Sequence, residues 1–374
     1  MKILHVLSDS NIGGAGMLLL GALRHFDREK FEISVVLPKN AELVPRVLTL
    51  GYKVIEIENG RDASYDKKAT KELMQIFKSE KPDIVHTHSS LSARIAARRC
   101  RVPLIFQTHH CAVVPPKYKT VFPMKTVLGL INNHYSDAVI ATAPVARDIL
   151  VSMGTKKEKI HVIINGAEPL RALTDEEKRE KRSALGLAEE NFVFSIVARL
   201  EAVKDHRTFI LAASETAKVH PNARFLIIGG GSLEASLKSF AADCGVDDKI
   251  IFTGFAPDVA EYMNITDVNV NSSFSETSCL AISEGMSLGV PAIVSDCAGN
   301  TSLVKEGENA LVFATEDSEM LATAMITLIE NRELREKFGR GAREAFDAEL
   351  RASVMTKKME ELYISEYEKK IAGR

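Results

Sequence analysis

Cysteine is scarce and badly placed for a structural role. The five cysteines among 374 residues, Cys100, Cys111, Cys244, Cys279 and Cys297, are odd in number, scattered, and never spaced as CxxC. They supply neither a disulfide framework nor a zinc ligand set, and they fit a reducing cytoplasm. No apolar run approaches the ~18 residues that span a bilayer, and the N-terminal KILHVL stops at Ser8-Asp9, short of a signal-peptide core. A soluble chain, or one that at most rests on a membrane, is expected. An excess of either charge is missing too, since 48 Lys and Arg against 50 Asp and Glu leave a net charge of -2. Bulk attraction to nucleic acid is excluded. No Asp-x-Asp occurs, which removes the simplest carboxylate pair for Mg²⁺. The two halves share no sequence repeat.

What is present is an ordinary globular composition, with 45% hydrophobic and 26% charged residues, enough for one or more full cores. Short apolar runs (KILHVL, FEISVVL, KVIEI, DIVHT, PLIFQT, DAVIA) alternate with helical patterns through the first half. Continuous rather than alternating strands indicate parallel sheets covered on both faces. HVIINGAEP closes that series, and the charged stretch RALTDEEKREKRSALG opens a second one with FVFSIVA, RFLIIGG, KIIFTG, DVNVNSS, PAIVSD and ALVF. The reading is α/β throughout: a Rossmann-like domain over 1–168, a second over 169–350, and a closing amphipathic helix over 351–374 that is expected to pack back on the first. Ligands of such sheets lie beyond the carboxyl ends of the strands.

The densest cluster follows DVNVNSS. Glu276 and Glu284 stand eight residues apart, and between them the backbone N–H groups of Thr277, Ser278, Cys279 and Leu280 open a helix and suit an anion such as a diphosphate. Glu284 sits among Ala281, Ile282, Gly285 and Met286, so its carboxylate needs a partner such as paired hydroxyls. Arg199 and Lys204 follow FVFSIVA, a planar fork and a point charge that together can neutralise a diphosphate. Gly254-Phe255 after KIIFTG and Asn165-Gly166 at the domain crossing are further candidates for ligand contact. In the first half Gly14 lies in a glycine loop after the first strand, but Leu19 occupies the place of the third glycine, so this is no dinucleotide fingerprint.

His86 and His88 end one strand, and His109 and His110 end another. No carboxylate or cysteine pair accompanies them at ligand spacing, so no metal site is expected. From Ile84 to Ser136 there is no acid, while Arg94, Arg98, Arg99, Arg101, Lys117, Lys119 and Lys125 are basic. Such a stretch is a solvated basic face, a site for an anionic acceptor, or a contact with an anionic membrane.

Taken in order, the glycine loop, His-x-His, Thr-x-His, Asn-Gly, Arg-x4-Lys, Gly-Phe and Glu276-x7-Glu284 resemble family 4 glycosyltransferases of the GT-B fold over essentially the whole chain. The resemblance implies two facing Rossmann-like domains and metal-independent transfer of a sugar, with retention, from a nucleoside-diphosphate sugar to an acceptor glycan or small molecule. It implies no further cofactor, no nucleic acid, and a cytoplasmic enzyme, peripheral on the inner face of the membrane if its acceptor is lipid-linked. By position, Arg199 and Lys204 would hold the diphosphate, Glu284 the ribose, Glu276 the donor sugar and Gly14 the phosphates or acceptor. His110 would stand at the reaction centre, with His109 in reserve. Thr277, Ser278 and Cys279 replace the Gly-Phe-Gly common in the family. A nucleotide-sugar epimerase or phosphorylase on the same fold, or an idle sugar- or partner-binding module, are the alternatives.

Overall fold

The computed structural model describes residues 1–8, 10, 13–58, 65–110 and 115–372 and divides into two units. Unit 1 comprises 1–166 and 352–374; unit 2 is 167–351.

In unit 1 the apolar runs become β1 (Lys2–Leu7), β2 (Glu32–Pro38), β3 (Lys53–Ile57), β4 (Ile84–His88), β5 (Leu104–His109), β6 (Ala138–Ala141) and β7 (Ile160–Val162). They form one parallel sheet in the order β3-β2-β1-β4-β5-β6-β7. The intervening helices are α1 (Gly14–His25), α2 (Val44–Thr49), α3 (Lys67–Glu80), α4 (Leu91–Arg99), α5 (Met124–Tyr135) and α6 (Pro144–Ser152). Leu4, Val6, Val36, Val85 and Ile105 from the strands meet Leu73 and Phe77 of α3 in the core. Asp66 starts α3 by accepting a hydrogen bond from Ala69 N at 2.8 Å, satisfying one of the helix's orphan donors.

Unit 2 opens with α7 (Asp175–Ala184), whose charged sequence needs an explicit start. Thr174 and Glu177 provide it as a reciprocal capping box. Strands β8 (Phe192–Val197), β9 (Ala223–Ile228), β10 (Ile250–Gly254), β11 (Val268–Asn271), β12 (Ala292–Ser295) and β13 (Ala310–Phe313) form a parallel sheet in the order β10-β9-β8-β11-β12-β13. Helices α8 (His206–Val219), α9 (Glu234–Asp243), α10 (Ala260–Met263), α11 (Leu280–Ser287), α12 (Ala298–Thr301), α13 (Ser318–Glu330) and α14 (Arg332–Ala345) connect them. Phe194, Phe209, Phe225, Phe313, Met325 and Phe338 are fully buried in its core.

After a π-helical turn over Phe346–Leu350, Arg351 is extended and α15 (Ala352–Ala372) begins. The helix starts well before the ELYISEYEKKIAGR segment and belongs to unit 1, against α1 and β5. Its buried residues, Ala352, Met355, Thr356, Met359 and Tyr363, recur every three or four positions and define one apolar stripe. The unit boundaries fall at 166/167 and 351/352 rather than at 168/169 and 350/351. The reason is local: Ala167 N donates to Leu350 O at 2.8 Å and pairs with Arg351, which binds both to unit 2.

The basic stretch is less of a surface than its composition suggests. Arg94 is 5% exposed and donates to Asn132 Oδ1 at 3.2 Å and Ser136 Oγ at 3.1 Å. Burial brings its pKa down to about 10. Arg98 is paired with Asp137 at 3.3 Å. These two arginines tie helices together. The exposed part of the stretch is instead the segment from Lys117 to Leu130, where Tyr118, Val121, Phe122, Val127 and Leu130 stand in solvent beside the lysines.

Candidate functional site

In unit 2, β8 and β11 are neighbours from which the chain proceeds to opposite sides of the sheet order. Such a switch point leaves room for a ligand beyond the strand ends. The loop after β8 carries Arg199 and Lys204, and the loop after β11 carries Glu276 to Cys279. The structure joins the two loops through one ion pair, with Lys204 Nζ 2.5 Å from Glu276 Oε1 and the side chains 18% and 10% exposed. Ser273 Oγ donates to the same oxygen at 2.8 Å, and Asn271 Nδ2 lies 3.3 Å from it. Three side-chain donors, from Lys204, Ser273 and Asn271, thus converge on one oxygen of this enclosed carboxylate.

The backbone under this pair is pinned as well. Ser272 Oγ donates to the carbonyls of Lys204 and Asp205 at 3.1 and 2.8 Å. Asp205 holds a left-handed conformation (φ 46°) and caps α8 through Thr208. Asn300 Nδ2 donates to Asn271 Oδ1 at 2.9 Å, extending the network to α12. Gly299 is required here: a Cβ at that position would lie 2.0 Å from the Glu276 carbonyl oxygen.

Glu284 stands in the second turn of α11. Among the described residues no hydrogen bond or ion pair engages its carboxylate, and burial pushes its pKa up. A half-buried carboxylate without a partner is poised to accept hydroxyl hydrogens. Cys279 precedes α11 without capping it by side chain, and Leu280 begins the helix. Burial pushes the Cys279 thiol up to about 12, so it is a packing residue and not a nucleophile. Ser278 Oγ is buried with no hydrogen-bond partner among the described residues. Thr277 follows Glu276 in the same loop. Arg199 is exposed, as is Phe255 (80%), and Gly254 ends β10 with φ 69°.

Unit 1 contributes a stack of histidines. In parallel strands paired residues face the same side, and residues two apart share it. His5 is paired with His86, and His88 follows two residues on, so the three rings share one face of the sheet. Ring centroids are 4.9 Å apart for His86–His88 and 5.2 Å for His88–His110. His5 Nδ1 lies 3.2 Å from His88 Nε2, and His88 Nδ1 lies 2.9 Å from His110 Nε2. His86 is held by the Tyr363 hydroxyl of α15 at Nδ1 and by Thr108 Oγ1, 2.7 Å away, at Nε2. Burial lowers all four pKa values, that of His5 to about 3 and that of His110 to about 4. All four rings are therefore neutral near pH 7. His5, His86 and His88 offer ring nitrogens within 4.8 Å of one another, but both nitrogens of His86 and of His88 are already hydrogen-bonded. A metal ion would have to break those bonds.

Gly14 is the first residue of α1, with Gly13 as its N-cap. Asp9 and Cys111 lie outside the described residues. Sequence reasoning assigned Lys204 and Glu276 to different parts of a ligand and did not foresee their pairing. It also passed over Asn271, Ser273, Asn300 and His5. The available signal was polarity inside strands: Asn271 in DVNVNSS and His5 in KILHVL interrupt otherwise buried runs.

Comparison with known proteins is consistent from end to end. Residues 12–171 match the family described as Glycosyltransferase Family 4, and residues 177–345 match that described as Glycosyl transferases group 1. The Escherichia coli UDP-Gal:alpha-D-GlcNAc-diphosphoundecaprenol alpha-1,3-galactosyltransferase is 29% identical over 353 residues, 89% of each chain. A D-inositol 3-phosphate glycosyltransferase of Acidothermus cellulolyticus is 30% identical over 285 residues, 70% of this chain and 62% of the relative. Among solved structures, HepE of Anabaena in complex with UDP superposes with a TM-score of 0.86 at 20% identity, covering 98% of this chain and 100% of that one.

Proposed function

The chain belongs to the family 4 glycosyltransferases and has their GT-B fold, and from this premise we propose that it moves a sugar from a UDP-sugar to a lipid-linked acceptor hydroxyl with retention of configuration. The observation that carries the donor half is the Lys204–Glu276 pair at the β8/β11 switch point, with the unpartnered Glu284 one helix turn further on. Uridine and a lipid diphosphate are supported by the relatives, one of which takes UDP-Gal and acts on a diphosphoundecaprenol acceptor.

In this reading Glu284 accepts the ribose hydroxyls. Lys204, held in place by Glu276, and the exposed Arg199 meet the diphosphate together with the first N–H groups of α11. The bond from the anomeric carbon to the phosphate oxygen breaks, UDP leaves with the electron pair, and the acceptor oxygen bonds to that carbon from the same face. The acceptor's proton passes to the departing phosphate. Fixed positive charge and oriented N–H groups stabilise the leaving group, so no divalent ion is needed and turnover survives exhaustive chelation. Loss of activity restored by Mg²⁺ or Mn²⁺ would reverse that assignment.

Glu284→Ala tests the donor site. Calorimetry with UDP should show binding weakened by about 1.5 to 3 kcal/mol, the scale of hydrogen bonds to a charged group. Unchanged affinity in a folded variant would remove Glu284 from the site.

A lipid-linked acceptor requires the enzyme to reach a membrane, and no helix among the described residues is long and apolar enough to cross one. The surface from Lys117 to Leu130 provides the alternative, because Phe122 (83% exposed) and Leu130 (66%) can insert among lipids while Lys117, Lys119 and Lys125 face the headgroups. Vesicles containing anionic lipid should retain the wild type and release it as salt rises. Changing the three lysines to Glu should abolish retention and leave UDP affinity intact. Equal retention of wild type and triple variant would shift the acceptor towards a soluble compound.

A further inference from the structure

We propose that Asn271 and Asn300 are positioning residues, a pair of oriented side-chain amides that carries a hydrogen bond from α12 to Glu276 Oε1 and thereby sets where Lys204 meets a diphosphate. The inference deepens the donor-site reading and rests on Lys204 as a diphosphate contact.

Strand β11 is apolar on one face and polar on the other. Val268 and Val270 belong to the core of unit 2, while the alternate residues Asn269 and Asn271, equally buried, point to the opposite face. Ser273, Ser295 and Asn300 are buried as well. Polar side chains so enclosed cost free energy unless each is bonded. Here their bonds converge on a single carboxylate oxygen.

The partners fix which way each amide is turned. Asn271 Oδ1 lies 3.1 Å from Ser273 N, a backbone N–H that can only donate, so its Nδ2 end faces Glu276 Oε1 at 3.3 Å and Cys279 Sγ at 3.1 Å. Asn300 Nδ2 lies 2.9 Å from Asn271 Oδ1, 3.0 Å from Ser295 Oγ and 3.4 Å from the Ser295 carbonyl, which can only accept. Turned over, Asn300 would set its oxygen against these acceptors. It would also bury an NH2 group where Asn300 Oδ1 now has no partner among the described residues, and orphaned donors are the costlier kind. Ser295 Oγ in turn donates to the Ser273 carbonyl at 2.7 Å, and Ser273 Oγ donates to Glu276 Oε1 at 2.8 Å. Both neutral donors on Glu276 are thus held from behind by β12 and α12.

This grip is what gives the ion pair a defined place. Lys and Glu are long and flexible, and a pair between them meets in many geometries. Lys204, Ser273 and Asn271 all engage Oε1, and no hydrogen bond holds Oε2 among the described residues. With Oε1 already fixed by the two neutral donors, the ammonium has one position to occupy.

Calorimetric titration of the whole protein with UDP and with uridine reads the diphosphate contribution as a ratio. The wild type should bind UDP more tightly than uridine; equal affinities would overturn the reading of Lys204 itself, and the amide relay with it. Asn271→Leu removes the amide at similar size, and Asn300→Asp keeps the shape while turning a donor into an acceptor. Each should weaken UDP about tenfold, within the range of coupling between residues that share one hydrogen-bond network. Uridine affinity should not move. A wild-type ratio of the two affinities in folded variants would overturn the relay and leave the donor site standing, with the two amides reduced to packing. If neither variant folds, the wild type decides through its side-chain amide signals in the nitrogen–proton spectrum. UDP should shift those of both Asn271 and Asn300, and uridine should shift them far less. Signals indifferent to UDP would overturn the relay.

Discussion

Unit 1 should lose its tertiary structure near pH 5 while unit 2 remains folded. The cause is the histidine stack. His5, His86, His88 and His110 are buried and neutral, with folded pKa values pushed well below the 6.5 they return to on unfolding. Above that value both states are neutral and pH has no leverage. Below it the unfolded chain binds protons that the folded one refuses, so stability falls with pH until the folded pKa values are reached. His5 and His110, with folded values of about 3 and about 4, each cost about 2 kcal/mol at pH 5, and His86 and His88 act in the same direction, against a total of about 5 to 15 for a typical domain. Unit 2 has one comparable ring, His206, lowered to about 4. It also has Asp205, Asp267 and Glu284, whose pKa values are raised by burial. Those carboxyls act with the opposite sign, because their folded forms bind protons more readily than the unfolded chain. Hydrogen exchange resolved by segment across pH 7 to 4.5 should show protection disappearing from β1, β4 and β5 first. Protection retained there at pH 5 would mean that the rings are not neutral.

Glu276→Ala should lower turnover by about a hundredfold to a thousandfold, the scale of losing one fixed electrostatic contact to a transition state. The loss is expected to operate through Lys204 as much as through the sugar. Without its carboxylate partner the ammonium, 18% exposed, loses the contact that would fix it in the proposed place opposite the leaving diphosphate. Lys204→Ala should have a similar effect, and the double variant should be little worse than either single one. Glu276→Gln keeps an acceptor for Ser273 but removes the charge, and should resemble Glu276→Ala. Strictly additive losses would show that the two residues act independently.

Much of the fold was legible in the sequence because buried parallel strands are written as continuous Val-, Ile- and Leu-rich runs. The order of those strands was not, since sheet position depends on which crossovers pack best. The switch point between β8 and β11 appears only once the sheet is assembled. The same applies to the sites. Arg199, Lys204, Glu276 and Glu284 are conspicuous residue types at strand ends. Pairing Lys204 with Glu276, however, joins positions 72 residues apart, and no local pattern encodes it. His5 was passed over because one histidine in an apolar run reads as core. Its meaning depends on His88, 83 residues further on. Arg94 misled in the opposite direction: charge suggested surface, but the side chain turns inward, where Asn132 and Ser136 supply its acceptors.

The return of α15 to unit 1 has a consequence for synthesis. A ribosome delivers β1 to β7 first, then all of unit 2, and only then the helix carrying Met355, Met359 and Tyr363. Throughout that interval His86 lacks its Tyr363 hydroxyl, and the apolar surface beneath the future helix is uncovered. The nascent first unit must therefore wait, open on one face, until α15 has been made. Chains stalled within unit 2 would expose that face to chaperones and proteases, whereas a chain that includes α15 closes it.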